Sequence, residues 1–441
     1  MAGASHRPPT DPTRRPTVVQ DQTQPRAPGQ PQGTTGATPG GPTPGAATAA
    51  SKGPGIRIDP LPGVAKASDG NPLFSITAEP KMPVIEITAR VVGIVTGADP
   101  TPTTEFEWTA EVSFDSKNCP SGVVKKQHKW HWGTYKVGET RTIPAITKAG
   151  KSTGGKITVK FDEIRGGTLT IAVKATVGGV VLKGETKGWR IQGTNPSRDV
   201  VGQALQDDTH RKIACVESSM EQFKRAKHEG DAWYPKFSED ALLGVGICQL
   251  TDPRPTDDQV WDWSANVEAG VNLYNNKREQ AKKYPGQVAR SGAYLALVRR
   301  YNEKLMKGTP PAAAGASTAT PAAMASVNVA VPEFTDQQLE DDTIRGFNGW
   351  AGKDGFGNAL HEFRIQVDPA TKDLVVEGNP ATLTVSAKWE RVPAADRPRT
   401  QDGKPIGDPN YVSDVRNRDP KTCKARAWGD FPIAPSTTAT A

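Results

Sequence analysis

The stretch "ACVESSMEQF", Ala214 to Phe223, reads as part of a helix with two glutamates on or near its buried side. At about 100° per residue, Ile213, Val216, Met220 and Phe223 fall within one apolar sector. Glu217 sits at the edge of that sector, whereas Glu221 is displaced by about another 40° toward solvent. Burial disfavours a charged carboxylate, so Glu217 is placed to hold a proton near neutral pH, as a general acid must. A glutamate at a core margin, paired with Lys or Arg, explains the same pattern. Deciding between the two requires the rest of the chain.

The surrounding segments read as helical from about 198 to 306. "DDTHRKIACVESSMEQFKRAK" opens on the cap-forming Asp207, Asp208 and Thr209. "WSANVEAGVNLYNNKREQAKK" has Ser264 as its expected cap and Val267, Val271 and Tyr274 at helical spacing, and "SGAYLALVRRYNEKL" is a third helix. Further on, "DQQLEDDTIRGFNGW" is helical up to Gly349. A hairpin follows around "EFRIQVD" and "ATLTVSAKWE", and "NYVSDVRNR" is a last helix.

Upstream the periodicity changes. Between 72 and 195 the runs "VIEITARVVGIV", "FEWTAEVSF", "KITVKF" and "TLTIAVKATV" alternate apolar with polar or small residues between turn signals. That pattern predicts an antiparallel all-β sandwich of immunoglobulin-like type. Its aromatic stretch "KWHWGTY", Lys129 to Tyr135, suits a glycan or a partner as well as it suits a sheet face. His128 and His131 lack a convergent third ligand, so no metal is expected there.

Composition sets the outer limits. The chain has 441 residues, only 35% of them hydrophobic, with 44 Gly and 38 Pro, so part of it is not expected to fold. Residues 1–55 carry almost no large apolar side chains and are expected to be disordered; an Ala/Pro-rich tract at 307–333 reads as a linker or inserted loop, and 421–441 as a tail. The net charge of +7 is spread thinly and no nucleic-acid reader motif accompanies it, so nucleic acid is not an expected partner. The prolines of "MAGASHRPPTDPTRRPTVVQ" interrupt any signal-peptide core, and no segment approaches the roughly 18 apolar residues that span a bilayer. Cys119, Cys215, Cys248 and Cys423 form no CxxC pair; Cys215 and Cys248, both in apolar surroundings, are the pair considered for a disulfide, with buried free thiols as the alternative.

The apolar run "LLGVGICQL", Leu242 to Leu250, carries Gly244 and Gly246, which permit close backbone approach, and Gln249, which offers both donor and acceptor to a sugar. Taken with Glu217-Ser218 and the later Asn266-Val267 with Gly270 and Leu273 in "ANVEAGVNLY", it resembles the soluble lytic transglycosylases and goose-type lysozymes. In that family Glu-Ser, a "GLMQ"-like element, an "N-I/V-x-x-G" helix and a late "YN" element follow in this order. The likeness covers about 205 to 305 and extends toward 418. It implies a mainly α, lysozyme-like domain over 198–420 with a small β hairpin insertion, following the sandwich.

The resemblance also implies a function, a peptidoglycan lytic transglycosylase. Glu217 alone would protonate the glycosidic oxygen between N-acetylmuramic acid and N-acetylglucosamine, then deprotonate the muramyl C6 hydroxyl to give a 1,6-anhydro end. Ser218, Gly246, Ile247 and Gln249 would line the substrate, with Asn266 and Gly270 as structural positions. The late element has two versions, Tyr301-Asn302 and Phe347-Asn348. If Phe347 takes that place it lacks the hydroxyl that holds the glutamate, and Tyr301 or Tyr411 must supply it. A muramidase would need a second carboxylate, for which Asp231, Glu239 and Asp240 are candidates; a non-catalytic peptidoglycan-binding protein is the other alternative. No cofactor is implied. Peptidoglycan strands are the expected partner, in the periplasm or cell wall. Without an export signal, a specialised secretion apparatus or phage particle engaging the N-terminal region is the expected route, with an immunity protein as a further partner.

Overall fold

The computed structural model describes residues 53–94, 98–115, 128–130, 133–135, 142–225, 232–238, 244–251, 253–292, 294–296, 299, 303, 331–348, 361–365, 376–377, 384–385, 387–392 and 410–423. Residues 1–52 of the segment expected to be disordered and nearly all of the Ala/Pro tract fall outside them, as do Tyr301, Asp231, Glu239, Asp240 and most of the third expected helix; the segment's last residue, Gly55, instead opens a strand.

Alternating burial builds the β-rich region. Its strands are β1 (Gly55–Pro60), β2 (Ala65–Lys66), β3 (Pro72–Ser75), β4 (Ile85–Val92), β5 (Glu105–Asp115), β6 (His128–Trp130), β7 (Gly133–Tyr135), β8 (Thr142–Thr153), β9 (Lys156–Val159), β10 (Gly167–Val177), β11 (Val180–Glu185) and β12 (Trp189–Gln192). One sheet runs β1-β4-β9 and a second runs β2-β3-β12-β10-β5-β8, with β11 beside β10. In β10, Leu169, Ile171, Val173 and Ala175 point inward while their neighbours face out. They meet Ile85, Ile87 and Ile157 of the smaller sheet in one apolar core. The region begins at Gly55, well ahead of the expected start at 72, because Gly55–Pro60 pairs along β4 from Val92 to Ile87. It is also not wholly antiparallel: β3 reaches β12 by a long connection and pairs with it parallel. Within and beside the "KWHWGTY" stretch, His128–Trp130 pairs antiparallel with Gly133–Tyr135; His131 and Trp132 lie outside the described residues.

The helical region comprises α1 (Arg198–Leu205), α2 (Asp208–Ser218), α3 (Asp257–Trp261), α4 (Trp263–Arg290), α5 (Asp336–Phe347) and α6 (Tyr411–Arg416). Between α2 and α3 lies a hairpin of β13 (Phe223–Arg225) and β14 (Trp233–Pro235); beyond α5, β15 (His361–Ile365) pairs with β18 (Ala387–Arg391) and β16 (Val376–Glu377) with β17 (Thr384–Val385). No helix among the described residues is long and apolar enough to cross a membrane.

Two helix boundaries differ from the sequence reading. The N-cap of α4 is Asp262, whose Oδ1 accepts from the backbone N–H of Ser264 and Ala265, two residues earlier than the expected Ser264. More consequentially, α2 stops at Ser218. Ser219 takes the left-handed conformation at φ 61° and its N–H closes onto Ala214 and Cys215 carbonyls, and Met220 follows at φ 59°. Met220 and Phe223 are still buried, but on a turn and a strand. Glu221, no longer helical, is half-buried and pairs with Lys236 at 3.0 Å.

The two regions share their core. Trp261 is fully buried and meets Phe114 edge-on at 5.1 Å and Phe223 at 5.8 Å. A side chain at Gly166 would collide with Trp261, and one at Gly193 with Phe223. Trp263 Nε1 donates to the Ala78 carbonyl at 2.7 Å, and the Arg165 guanidinium, almost wholly buried, reaches Asp258 at 3.2 Å.

Candidate active site

Glu217 is the penultimate residue of α2 and half-buried, while Ser218 beyond it is buried. Stopping the helix here directs the following turn away and leaves the carboxyl at the helix end. Tyr411, on the first turn of α6 and only 1% exposed, donates its hydroxyl to Glu217 Oε1. Of the tyrosines considered for that role, Tyr411 makes the bond and Tyr301 lies outside the described residues. Phe347, which has no hydroxyl to give, is half-buried, packs against both apolar clusters of the helical region, the one holding Tyr411 included, and its ring lies 5.8 Å from that of His210. Asn348 caps α5, with its Oδ1 buried and without a partner among the described residues.

The Gly-Ile-Cys-Gln element is a tight loop. Val245 and Leu250 close it with two backbone hydrogen bonds of 3.1 Å, and the turn needs φ 74° at Gly246 and φ 46° at Gln249. A Cβ on Gly246 would overlap Gln222 Oε1 and come within 2.6 Å of Asn266 Nδ2. Three side chains hold the loop against Glu217's helix. Ser218 Oγ donates to the Ile247 carbonyl at 2.6 Å; Asn266 accepts from Cys248 N at 3.0 Å and donates to the Val245 carbonyl at 3.0 Å; Gln222 accepts from Ile247 N at 3.1 Å. Asn266, Gly270 and Tyr274 fall on one face of α4 at four-residue spacing. Gly270 is required because a Cβ there would overlap Cys248 Sγ. The nitrogen of Gln249's side chain folds back onto the carbonyls of Gly246 at 2.8 Å and Lys236 at 3.3 Å, so it braces the loop rather than facing outward as a free donor.

Electrostatics are set by burial. The Cys248 thiol is pushed well up, first by complete burial and then by the nearby Glu217 charge. His210, on α2 and 1% exposed, is pushed down to about 4 by burial, which the charge of Asp207 offsets only in part. It stacks on Tyr274 at 4.9 Å, and its Nε2 lies 3.9 Å from Cys248 Sγ. Burial also raises the Tyr274 phenol, whose hydroxyl lies 3.2 Å from Asp207.

Sequence reasoning missed three parts of this site. Lys236, 16% exposed, donates to the Ser218 carbonyl and to Glu221, satisfying the end of α2 with a cation. Gln222, fully buried, also donates to the Gln259 and Val260 carbonyls, tying the loop to α3. The disulfide joins Cys215 to Cys423, with Cα atoms 5.3 Å apart, and not to Cys248, which is free and buried. The first two had a faint signal, a Gln and a Lys in otherwise apolar or aromatic surroundings; the third had none. No protein-family model matches the chain, and no curated protein matches it.

Proposed function

We propose that this chain is a peptidoglycan lytic transglycosylase in which Glu217 alone serves as acid and base. The observation that carries the reading is the convergence around Glu217. Three motifs far apart in sequence, Glu217-Ser218, Gly246–Gln249 and Asn266 with Gly270, interlock by hydrogen bonds, and a buried tyrosine holds the carboxyl. On this reading the β-rich region is an immunoglobulin-like sandwich and the helical region is lysozyme-like.

The chemistry uses one group in two states. At the C-terminal end of α2 the Tyr411 hydroxyl donates to the Glu217 carboxyl and fixes its orientation. So held, the carboxyl gives its proton to the glycosidic oxygen as the bond to C1 breaks. It then takes the proton of the muramyl C6 hydroxyl as that oxygen closes onto C1. The product is a 1,6-anhydro ring, and no water is consumed. The buried Cys215–Cys423 bond supports action in an oxidising compartment outside the cytoplasm.

Digestion of purified sacculi, with mass spectrometry of the soluble products, tests this. The wild type releases anhydro-muropeptides and Glu217→Gln releases none. Undiminished release by the variant removes Glu217 from the chemistry, and reducing ends in place of anhydro ends make the enzyme a muramidase.

A further inference from the structure

The helix that supplies Tyr411 is a weak element by itself. α6 has six residues, too few to persist alone, and no side-chain cap at Asn410. It is held by what it touches. Tyr411, Val412 and Val415 bury against Ile213 and Val216 of α2 and Ile344 of α5. Arg416 reaches Asp341 at 2.5 Å and Glu340 at 3.2 Å on α5, and Glu340 in turn accepts from Thr209 at the start of α2. A further tie is covalent. Cys215, on α2 two residues before Glu217, is bonded to Cys423 a short way beyond α6, and both are fully buried.

We propose that the Cys215–Cys423 bond is a redox latch that seats Tyr411 on Glu217, leaving the site slack while its cysteines are thiols and organised once they are oxidised. The activity it controls rests on the transglycosylase reading above. Closing a separation of 208 residues, the bond restricts the opened chain far more than a local link does. Cys119 lies outside the described residues, and no cysteine stands among the described residues of the β-rich region. Loss of the bond therefore acts on the helical side. Free Cys248 does not compete for Cys215, because burial keeps its thiol protonated and unreactive. Oxidation takes two electrons: the two protein thiols and a small-molecule disulfide yield the protein disulfide and two small-molecule thiols. A dithiol reductant reverses this through a mixed disulfide, its own two sulfurs ending as the oxidised pair.

The test uses the full chain, oxidised, reduced with excess dithiothreitol, or carrying Cys423→Ser. Amide exchange and sacculus digestion are followed together. Reduction is expected to speed exchange across 411–423 by at least about tenfold, leave 167–177 unchanged, and lower the rate of product release by about tenfold, the scale of one lost hydrogen bond to a charged group. Reoxidation restores both, and Cys423→Ser is insensitive to the reductant. Exchange decides the latch even if no sacculus is cut, a result that would overturn only the transglycosylase reading. Unchanged exchange in 411–423 overturns the latch. Exchange that rises equally in 167–177 also overturns it, since the bond would then staple the whole fold. If product release is undiminished while exchange rises, the latch has no hold on Glu217 and the proposal fails.

Discussion

Replacing His210 by Gln tests the electrostatics of the helical core without reference to any activity. His210 is held neutral, its pKa pushed from 6.5 to about 4 by burial against Tyr274 and Cys248, which the charge of Asp207 offsets only in part. A depressed histidine costs the fold nothing above its unfolded pKa. As pH falls below about 6.5, the unfolded chain takes up a proton that the folded chain refuses, so stability drops by about 1.4 kcal/mol per pH unit. The drop ends near the folded pKa, where both states bind the proton, and totals about 3 kcal/mol. Urea unfolding followed by tryptophan fluorescence at pH 7.5 and pH 4 measures it. Wild type loses about 3 kcal/mol more than His210→Gln between the two conditions, whatever the variant's stability at pH 7.5, because the other titrating groups are common to both. Equal losses in the two proteins would refute the account of a neutral, desolvated imidazole.

The remaining predictions concern the site itself. Tyr411→Phe removes the hydroxyl on Glu217 while keeping the ring in its apolar seat. Product release from sacculi falls by about tenfold or more; undiminished release would show that Tyr411 only fills space. Gly270→Ala drives a methyl group into Cys248 Sγ and destabilises by about 1–3 kcal/mol despite the better helix former, by chemical denaturation. Adding Cys248→Ala relieves part of that loss, the part left over reflecting the 2.7 Å approach to the Cys248 Cβ; strictly additive losses would mean that the two residues do not meet.

Much of the arrangement around Glu217 was legible because it is local and patterned. The Val267–Val271–Tyr274 spacing declares a packed face of a helix, and Gly246 is needed where the chain turns tightly beneath Gln222. The end of α2 was not legible. Met220 and Phe223 continue a helical period, and nothing in "ESSMEQF" carries the glycine that usually ends a helix; Ser219 takes the left-handed position instead. Burial of the same side chains by a different backbone leaves no trace in hydrophobic periodicity. The partner of Cys215 was hidden for another reason. Pairing depends on which chain segments meet in space, and Cys423 arrives with α6 from 208 residues away. The direction of the Gln249 amide was hidden in a third way: a turn with φ 46° at that residue folds its nitrogen back onto the Gly246 and Lys236 carbonyls.

The burial of Trp261 beneath Phe114 and Phe223 bears on how such a protein could be rebuilt. A targeting module joined by a tether can be exchanged for another and the enzyme behind it is untouched. Here a recombinant lacking residues 55–192 would carry an exposed indole, an uncovered Phe223 and an Arg165-shaped vacancy at Asp258, and it would aggregate before its chemistry could be measured. The β-rich region is thus part of the helical region's foundation, and any substitute for it has to arrive with a glycine, at the place of Gly166, that leaves room for the Trp261 ring.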